Sequence, residues 1–291
     1  MCRLFGLSGG HERVRATFWL LEAPDSLAQE SRRNPDGTGI GYYDERDEPV
    51  VVKQALAAYE DFQFAQEARE ISARTFVAHV RHASGTPVTL RNTHPFVQAG
   101  RLFAHNGVIG DVPSLERRLG NGMSMVGGET DSERYFALIT AEIARVGDVG
   151  EGIVSAATWI AENLPVFALN CVLITDRELW ALRYPDVHEL HLLERSPGGT
   201  RGKRHLELAS ARGSVRVRSG DFARRPAVVV ASEEMDEDAG WRPLQSGELV
   251  HVDANLRTTV RRVIDRPPVR QLTLAQLDPK AAASQAPPRQ P

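Results

Sequence analysis

Apolar side chains alternate with small ones from Cys2 to Ser8 and stop at Gly9-Gly10, which predicts a short strand closed by a turn. From Val14 to Arg33 the apolar positions Phe18, Leu20, Leu21 and Leu27 recur at roughly helical spacing, and Pro24 is expected to divide the stretch into two short helices. Asn34-Pro35-Asp36-Gly37 has the composition of a turn, because proline sets φ and glycine accepts positive φ. Gly39 to Tyr43 and Pro49 to Lys53 then read as a hairpin across the polar Asp44 to Glu48. Tyr59 to Glu70 returns to a helical pattern, and Thr75 to His82 is a strand followed by a loop rich in Gly, Pro, Thr and Asn. Arg101 to Ile109 is a further strand, with His105-Asn106-Gly107 predicted to break it.

Helices are expected over Val112 to Leu119, Asp131 to Arg145 and Glu151 to Glu162. In the second, Thr130 or Asp131 can cap the start, while Glu133 and Glu142 are placed on polar faces among Phe136, Leu138 and Ile139. Strands dominate the remainder: Val166 to Asp176, Glu178 to Tyr184, His188 to Glu194, His205 to Ala211, Ala227 to Ser232, Glu248 to Asp253 and Thr258 to Ile264. Two strand-rich halves enclosing a block of helices predict α+β layers rather than alternating βαβ units. No repeat or linker interrupts residues 1–265, which read as one domain. From Arg266 onward six prolines fall within 26 residues, and 266–291 is expected to be a disordered tail.

Composition narrows the function. The 291 residues are 42% hydrophobic and 25% charged, an ordinary globular balance. A net charge of -3 predicts no attraction to nucleic acid or to a membrane surface. No apolar run approaches the ~20 residues of a membrane span, and the N-terminus lacks the pattern of a secretory signal, so a cytoplasmic protein is expected. Of the two cysteines, Cys171 lies in an apolar run and reads as core, while scattered histidines make no zinc ligand set.

Cys2 stands directly behind the initiator methionine, and its small side chain permits removal of Met1. That would place a thiol and a free α-amine on one residue. A thiol titrates near ~8.5 and an α-amine near ~7.7 to 8.0, so the amine can serve as base for its own nucleophile. Four further stretches carry candidate chemistry. His79-Val80-Arg81-His82-Ala83-Ser84 ends a strand in a guanidinium able to clamp a carboxylate, or to pair with a neighbouring acid. Asn92-Thr93-His94-Pro95-Phe96 precedes Phe103-Ala104-His105-Asn106-Gly107-Val108-Ile109. There the Asn106 amide beside the Gly107 N–H could supply two donors to an oxyanion, or simply form a turn. Gly127-Gly128-Glu129-Thr130-Asp131-Ser132-Glu133 opens a helix, where Asp131 could bind an ammonium group or act only as a cap.

This set in this order resembles the glutaminase domain of class II glutamine amidotransferases, which are N-terminal nucleophile hydrolases. Asn34-Pro35-Asp36-Gly37-Thr38-Gly39-Ile40, Ala231-Ser232-Glu233-Glu234-Met235-Asp236 and Gly240-Trp241-Arg242-Pro243-Leu244 look like the stand-alone members, and the likeness spans residues 2–265. It implies a four-layer αββα sandwich with two facing antiparallel sheets. Cys2 would be the nucleophile and its α-amine the general base, and Asn106 with Gly107 the oxyanion hole. Arg81 would hold the α-carboxylate and Asp131 the α-ammonium of glutamine or a γ-glutamyl group. Ser84 matches a small position near the substrate. His82 receives no role, and His79, His94 and His105 are expected to be structural. The implied reaction passes through a γ-glutamyl thioester and requires no metal or organic cofactor.

Three readings follow. The chain hydrolyses a γ-glutamyl amide itself, or it is a glutaminase subunit that feeds ammonia to a separate synthase, since no room for a fused synthase domain is expected after the last strand. The third is a catalytically silent domain that binds an amino acid or a partner, which predicts loss of one or more of Cys2, Arg81, Asn106, Gly107 and Asp131; all five are present.

Overall fold

A computed structural model describes residues 2–23, 25–32, 34–83, 85–197, 207–209, 216–218 and 224–285. Met1, Pro24, Ser84 and most of the strand expected over His205 to Ala211 therefore lie outside the described residues. The strands are β1 (Arg3–Ser8), β2 (Thr38–Tyr43), β3 (Pro49–Gln54), β4 (Thr75–Val80), β5 (Phe96–Gln98), β6 (Arg101–Ile109), β7 (Pro165–Ile174) and β8 (Leu179–Arg183). They continue as β9 (His191–Arg195), β10 (Glu207–Ala209), β11 (Arg216–Arg218), β12 (Ala227–Ala231), β13 (Arg242–Pro243), β14 (Glu248–Val252), β15 (Thr258–Arg262) and β16 (Arg270–Gln271). The helices are α1 (Leu27–Glu30), α2 (Phe62–Glu70), α3 (Val112–Leu119), α4 (Asp131–Val146), α5 (Val149–Asn163) and α6 (Pro279–Gln285).

Two sheets organise the chain. One runs β13-β9-β12-β1-β4-β2-β3 and the other β15-β14-β8-β7-β6-β5, with antiparallel neighbours throughout. Their facing sides bury Leu4, Val77, Leu102, Ala104, Val172 and Val230 in a common core. A second core lies between β6–β8 and the α4–α5 pair, through Phe103, Phe136, Ile139, Ile153 and Leu173. A third covers the outer side of β1 and β4, where Phe5, Leu7 and Phe76 meet Phe18, Trp19, Leu27 and Phe64. The result is the expected α+β arrangement, a four-layer αββα sandwich. Gly6 is small because its Cβ would press into Val172 and Leu179 of the facing sheet.

Three expectations need correction. The His105-Asn106-Gly107 segment does not break its strand: β6 is continuous from Arg101 to Ile109, and its irregularity in pairing with β7 falls later, between Val108 and Ile109. A Cβ at Gly107 would collide with the Ala168 carbonyl, so this glycine answers to the close approach of β7 rather than to a turn. Glu133 and Glu142 are buried, not on open polar faces. Glu133 accepts from the N–H groups of Gly127 (3.0 Å) and Gly128 (2.6 Å). Glu142 is closed over by Arg118 (3.0 Å) and Arg145 (2.8 Å).

The third correction concerns the tail. Residues 266–285 are ordered against the domain, and only 286–291 lie outside the described residues. β16 adds a parallel pairing to the start of β7, Arg270 opposite Pro165 and Gln271 opposite Val166. Asp278 then accepts from the N–H groups of Lys280 and Ala281, starting α6, which buries Ala281, Ser284 and Gln285. Backbone pairing and small buried side chains hold this segment without a hydrophobic stripe. Among the described residues no helix is long and apolar enough to cross a membrane.

Candidate functional site

The beginning of β1, the end of β4, the end of β6 and the start of α4 meet at one end of the sandwich. Cys2 is buried there. Its Sγ accepts from the His82 N–H at 3.2 Å and donates to the His82 carbonyl at 3.4 Å. Burial pushes its pKa up from the ordinary thiol value, so the resting group is a protonated thiol. Asn106 is equally buried, and its Nδ2 donates to the Cys2 carbonyl at 3.1 Å. Its Oδ1 is enclosed with no hydrogen-bond partner among the described residues, a costly arrangement for plain packing.

Arg81 is held from behind rather than neutralised. Its Nη1 donates to the Pro87 carbonyl (3.1 Å) and its Nη2 to Thr86 O (3.3 Å) and Oγ1 (2.7 Å). No acid lies within ion-pair distance among the described residues, so the reading of Arg81 as half of a structural ion pair does not hold. Burial lowers its pKa, while Cys2, Asp36 and Asp131 act electrostatically in the other direction, which puts all three within its field. The Asn34–Gly37 turn fixes this strand end. Gly37 O accepts from the Arg81 N–H (2.7 Å), and the Asp36 carboxylate accepts from the Ala83 N–H (2.8 Å).

Asp131 is the first residue of α4, but the cap is Thr130, whose hydroxyl accepts from the Glu133 N–H at 3.2 Å. Asp131 instead reaches back to the end of β6, accepting from the Ile109 N–H at 2.7 Å and from the Ser132 N–H at 2.9 Å. That ties the helix start and the end of β6 together. His105, on the opposite face of β6, reinforces the tie: its Nε2 donates to Ala168 O (3.1 Å) and its Nδ1 accepts from the Ser132 hydroxyl (2.9 Å). The structure thus brings Cys2, Arg81, Asn106, Gly107 and Asp131 into one constellation, whereas Ser84 lies outside the described residues.

Some supporting residues were not assigned from the sequence. Asn92 donates to Pro87 O (3.1 Å) and accepts from the Glu129 N–H (2.8 Å), joining the loop behind Arg81 to the loop before α4. Arg3, beside Cys2, is buried between Glu30 (2.9 Å) and Glu233 (2.6 Å), and burial pushes Glu233 up to about 7. The signal available was an arginine inside an otherwise apolar strand.

Histidines pack around this framework. His79 and His94 stack with centroids 4.2 Å apart. Burial drives His79 down to about 3, holds His94 well below the usual range and takes His188 to about 4. All three are neutral at pH 7. Since the unfolded value is near ~6.5, the unfolded chain binds protons below that pH that the folded chain refuses. Stability should therefore fall with pH by up to about 1.4 kcal/mol per unit for each such histidine. Urea midpoints are expected to drop between pH 6.5 and 5, and constant midpoints across that window would contradict the assignment.

A model of class-II glutamine amidotransferases matches residues 1–273 of this sequence. The chain belongs to that family. It is 26% identical over 264 residues to a gamma-glutamyl-hercynylcysteine sulfoxide hydrolase of Mycobacterium tuberculosis, a match covering 87% of this chain and 93% of that one. It is 27% identical over 262 residues to an uncharacterized protein of Methanocaldococcus jannaschii, covering 86% of this chain and 68% of the relative. The fold is similar to that of a glutamine phosphoribosylpyrophosphate amidotransferase of B. subtilis, with a TM-score of 0.63 at 21% identity. That match covers 91% of this chain, which spans only 50% of the B. subtilis chain. The fold is thus that of the class II glutamine amidotransferases.

Proposed function

We propose that the chain hydrolyses the γ-amide of glutamine or of a γ-glutamyl compound through a thioester on Cys2. The observation that carries the reading is a buried Cys2 whose backbone carbonyl accepts from a half-satisfied Asn106 amide, beside a guanidinium with no acid partner among the described residues. The mycobacterial relative, named for hydrolysis of a γ-glutamyl conjugate, supports hydrolysis as the outcome.

Loss of Met1 frees the Cys2 α-amine. The amine takes the thiol proton, and the thiolate forms a C–S bond to the γ-carbonyl carbon. Negative charge moves to oxygen, where the second N–H of Asn106 Nδ2 and the Gly107 N–H receive it. The C–N bond breaks as the ammonium of Cys2 returns its proton to the departing nitrogen. Water, deprotonated by the same amine, then attacks the thioester, and the thiol leaves. Arg81 takes the substrate α-carboxylate on the N–H groups that face away from Thr86 and Pro87, and Asp131 takes the α-ammonium.

Intact mass before and after exposure to 6-diazo-5-oxo-norleucine tests this directly. The expected result is a chain lacking Met1 that gains one adduct on Cys2. A chain that keeps Met1 and gains nothing would remove the base and favour a silent binding domain. Asp131→Asn is expected to raise KM for glutamine roughly 10- to 100-fold with a smaller change in kcat, the scale of one charge-assisted hydrogen bond. An unchanged KM would show that Asp131 serves only the Ile109 and Ser132 N–H groups.

A further inference from the structure

A cavity of about 700 Å³ lies between the 265–285 segment and the start of β7 with the β8–β9 loop. That is within the range of small-molecule sites, about 300–1,000 Å³. Phe167, Ile264 and Leu272 give it apolar walls, and His188 and Gln285, both buried, form a polar end. These two are bonded to each other, His188 Nε2 donating to Gln285 Oε1 at 2.6 Å, which leaves Nδ1 as the acceptor of a neutral ring.

Asn170 links the polar end to the strand that carries Asn106. The His188 carbonyl accepts from Asn170 Nδ2 at 3.1 Å and from Arg183 Nε at 2.9 Å. Asn170 stands directly opposite Asn106 in the β6–β7 register, so the two side chains share a face of the sheet. The charge on Arg3 also reaches His188.

The direction is informative too. Arg81 closes β4 on one flank of β1, and Asp131 is tied to β6. The cavity sits on the other flank, beside the start of β7 and the β8–β9 loop, where no group proposed to hold the glutamyl end is found. Helix α6 roofs the space between the two flanks. At its start, Asp278 Oδ2 would lie 3.7 Å from a Cβ placed on Gly85, and at its end Gln285 meets His188. This helix lies beyond residues 1–273, the span matched by the family model.

We propose that this cavity is a leaving-group subsite, which receives the amine side of a γ-glutamyl amide whose amine has an apolar body. The inference rests on the amide hydrolysis proposed above and makes the preferred substrate a conjugate rather than glutamine. The departing amine, protonated by the Cys2 ammonium, is released into the pocket between Phe167 and Leu272 with an N–H toward His188 Nδ1. Filling the pocket therefore separates the two substrates, because ammonia needs none of this space.

The experiment compares glutamine with γ-glutamyl-4-nitroanilide on the full chain and on Leu272→Trp, with Leu274→Trp as a second filling variant should the first fail to fold. The parent is expected to show a kcat/KM at least tenfold higher for the anilide. Filling is expected to lower the anilide value at least tenfold and to leave glutamine within twofold. Equal loss on both substrates, or no loss on either, overturns the subsite. Turnover of glutamine with none of the anilide also overturns it while leaving the amidohydrolase reading in place. Absence of turnover on both, together with no 6-diazo-5-oxo-norleucine adduct on Cys2, overturns that reading itself.

Discussion

Cys2→Ala is expected to abolish glutamate release from glutamine and from γ-glutamyl amides while leaving the fold intact. The loss should reach at least about 10⁴-fold, the scale on which removing a nucleophile acts in other hydrolases. The structural cost is small because, among the described residues, the sulfur makes two contacts of hydrogen-bond type, both with the backbone of His82. Losing them costs about 1 kcal/mol, against a total stability of about 5–15 kcal/mol for a domain. The strand start is held independently: the Leu4 N–H donates to Ser232 Oγ at 2.9 Å, and Arg3 is locked by Glu30 and Glu233. Circular dichroism should therefore match the parent, and the thermal midpoint should lie within a few degrees of it. Cys2→Ser keeps the contact geometry but replaces a thiol by a hydroxyl that the α-amine cannot deprotonate to any useful extent, and only traces of turnover are expected. A Cys2→Ala chain that still releases glutamate at an appreciable rate would show that the nucleophile lies elsewhere.

The layers were legible in the sequence because each strand carries its own apolar pattern. β1 and β4 are buried from end to end and β7 from Val166 onward, and α4 and α5 keep helical spacing on the side that meets Phe103 and Leu173. Features set by distant partners were not legible. His105-Asn106-Gly107 looks like a turn by composition, but the glycine is required by the Ala168 carbonyl of a strand some sixty residues later. Residues 266–285 have the composition of a loose tail, yet β16 binds through its backbone, and α6 buries only small or polar side chains. Glu133 follows the polar side of a helix, but the Gly127 and Gly128 N–H groups fold over it.

The two arginines of the candidate site show the same limit from the other side. Arg81 and Arg3 both flank buried apolar strands, and an acid partner is the ordinary expectation for each. Arg3 has two. Arg81 has carbonyls and a hydroxyl instead, which orient the guanidinium without cancelling its charge. Only the folded chain distinguishes a structural cation from one available to a ligand. The sequence supplied the order of motifs, and that order located the end of the sandwich where the distinction has consequences.

Asn106→Ala should lower kcat by roughly 10²–10³, the loss found when one oxyanion donor is removed elsewhere, with KM changed far less. The amide holds the Cys2 carbonyl at 3.1 Å through one N–H, so its second N–H is free for charge that develops only during attack. A ground-state contact would affect KM; this one is made in the transition state and should appear in kcat. Alanine also leaves the Cys2 carbonyl without this donor, a cost of about 1–3 kcal/mol that could blur the result if turnover alone were measured. Two further readouts separate the effects. The rate of 6-diazo-5-oxo-norleucine labelling should fall, because the same carbonyl must be activated, while the thermal midpoint should drop by only a few degrees. Asn106→Asp should fall at least as far as alanine, since a carboxylate offers no donor and repels the oxyanion. Turnover in Asn106→Ala within tenfold of the parent would remove Asn106 from the oxyanion hole and leave Gly107 N–H to be supplemented by a donor on another element.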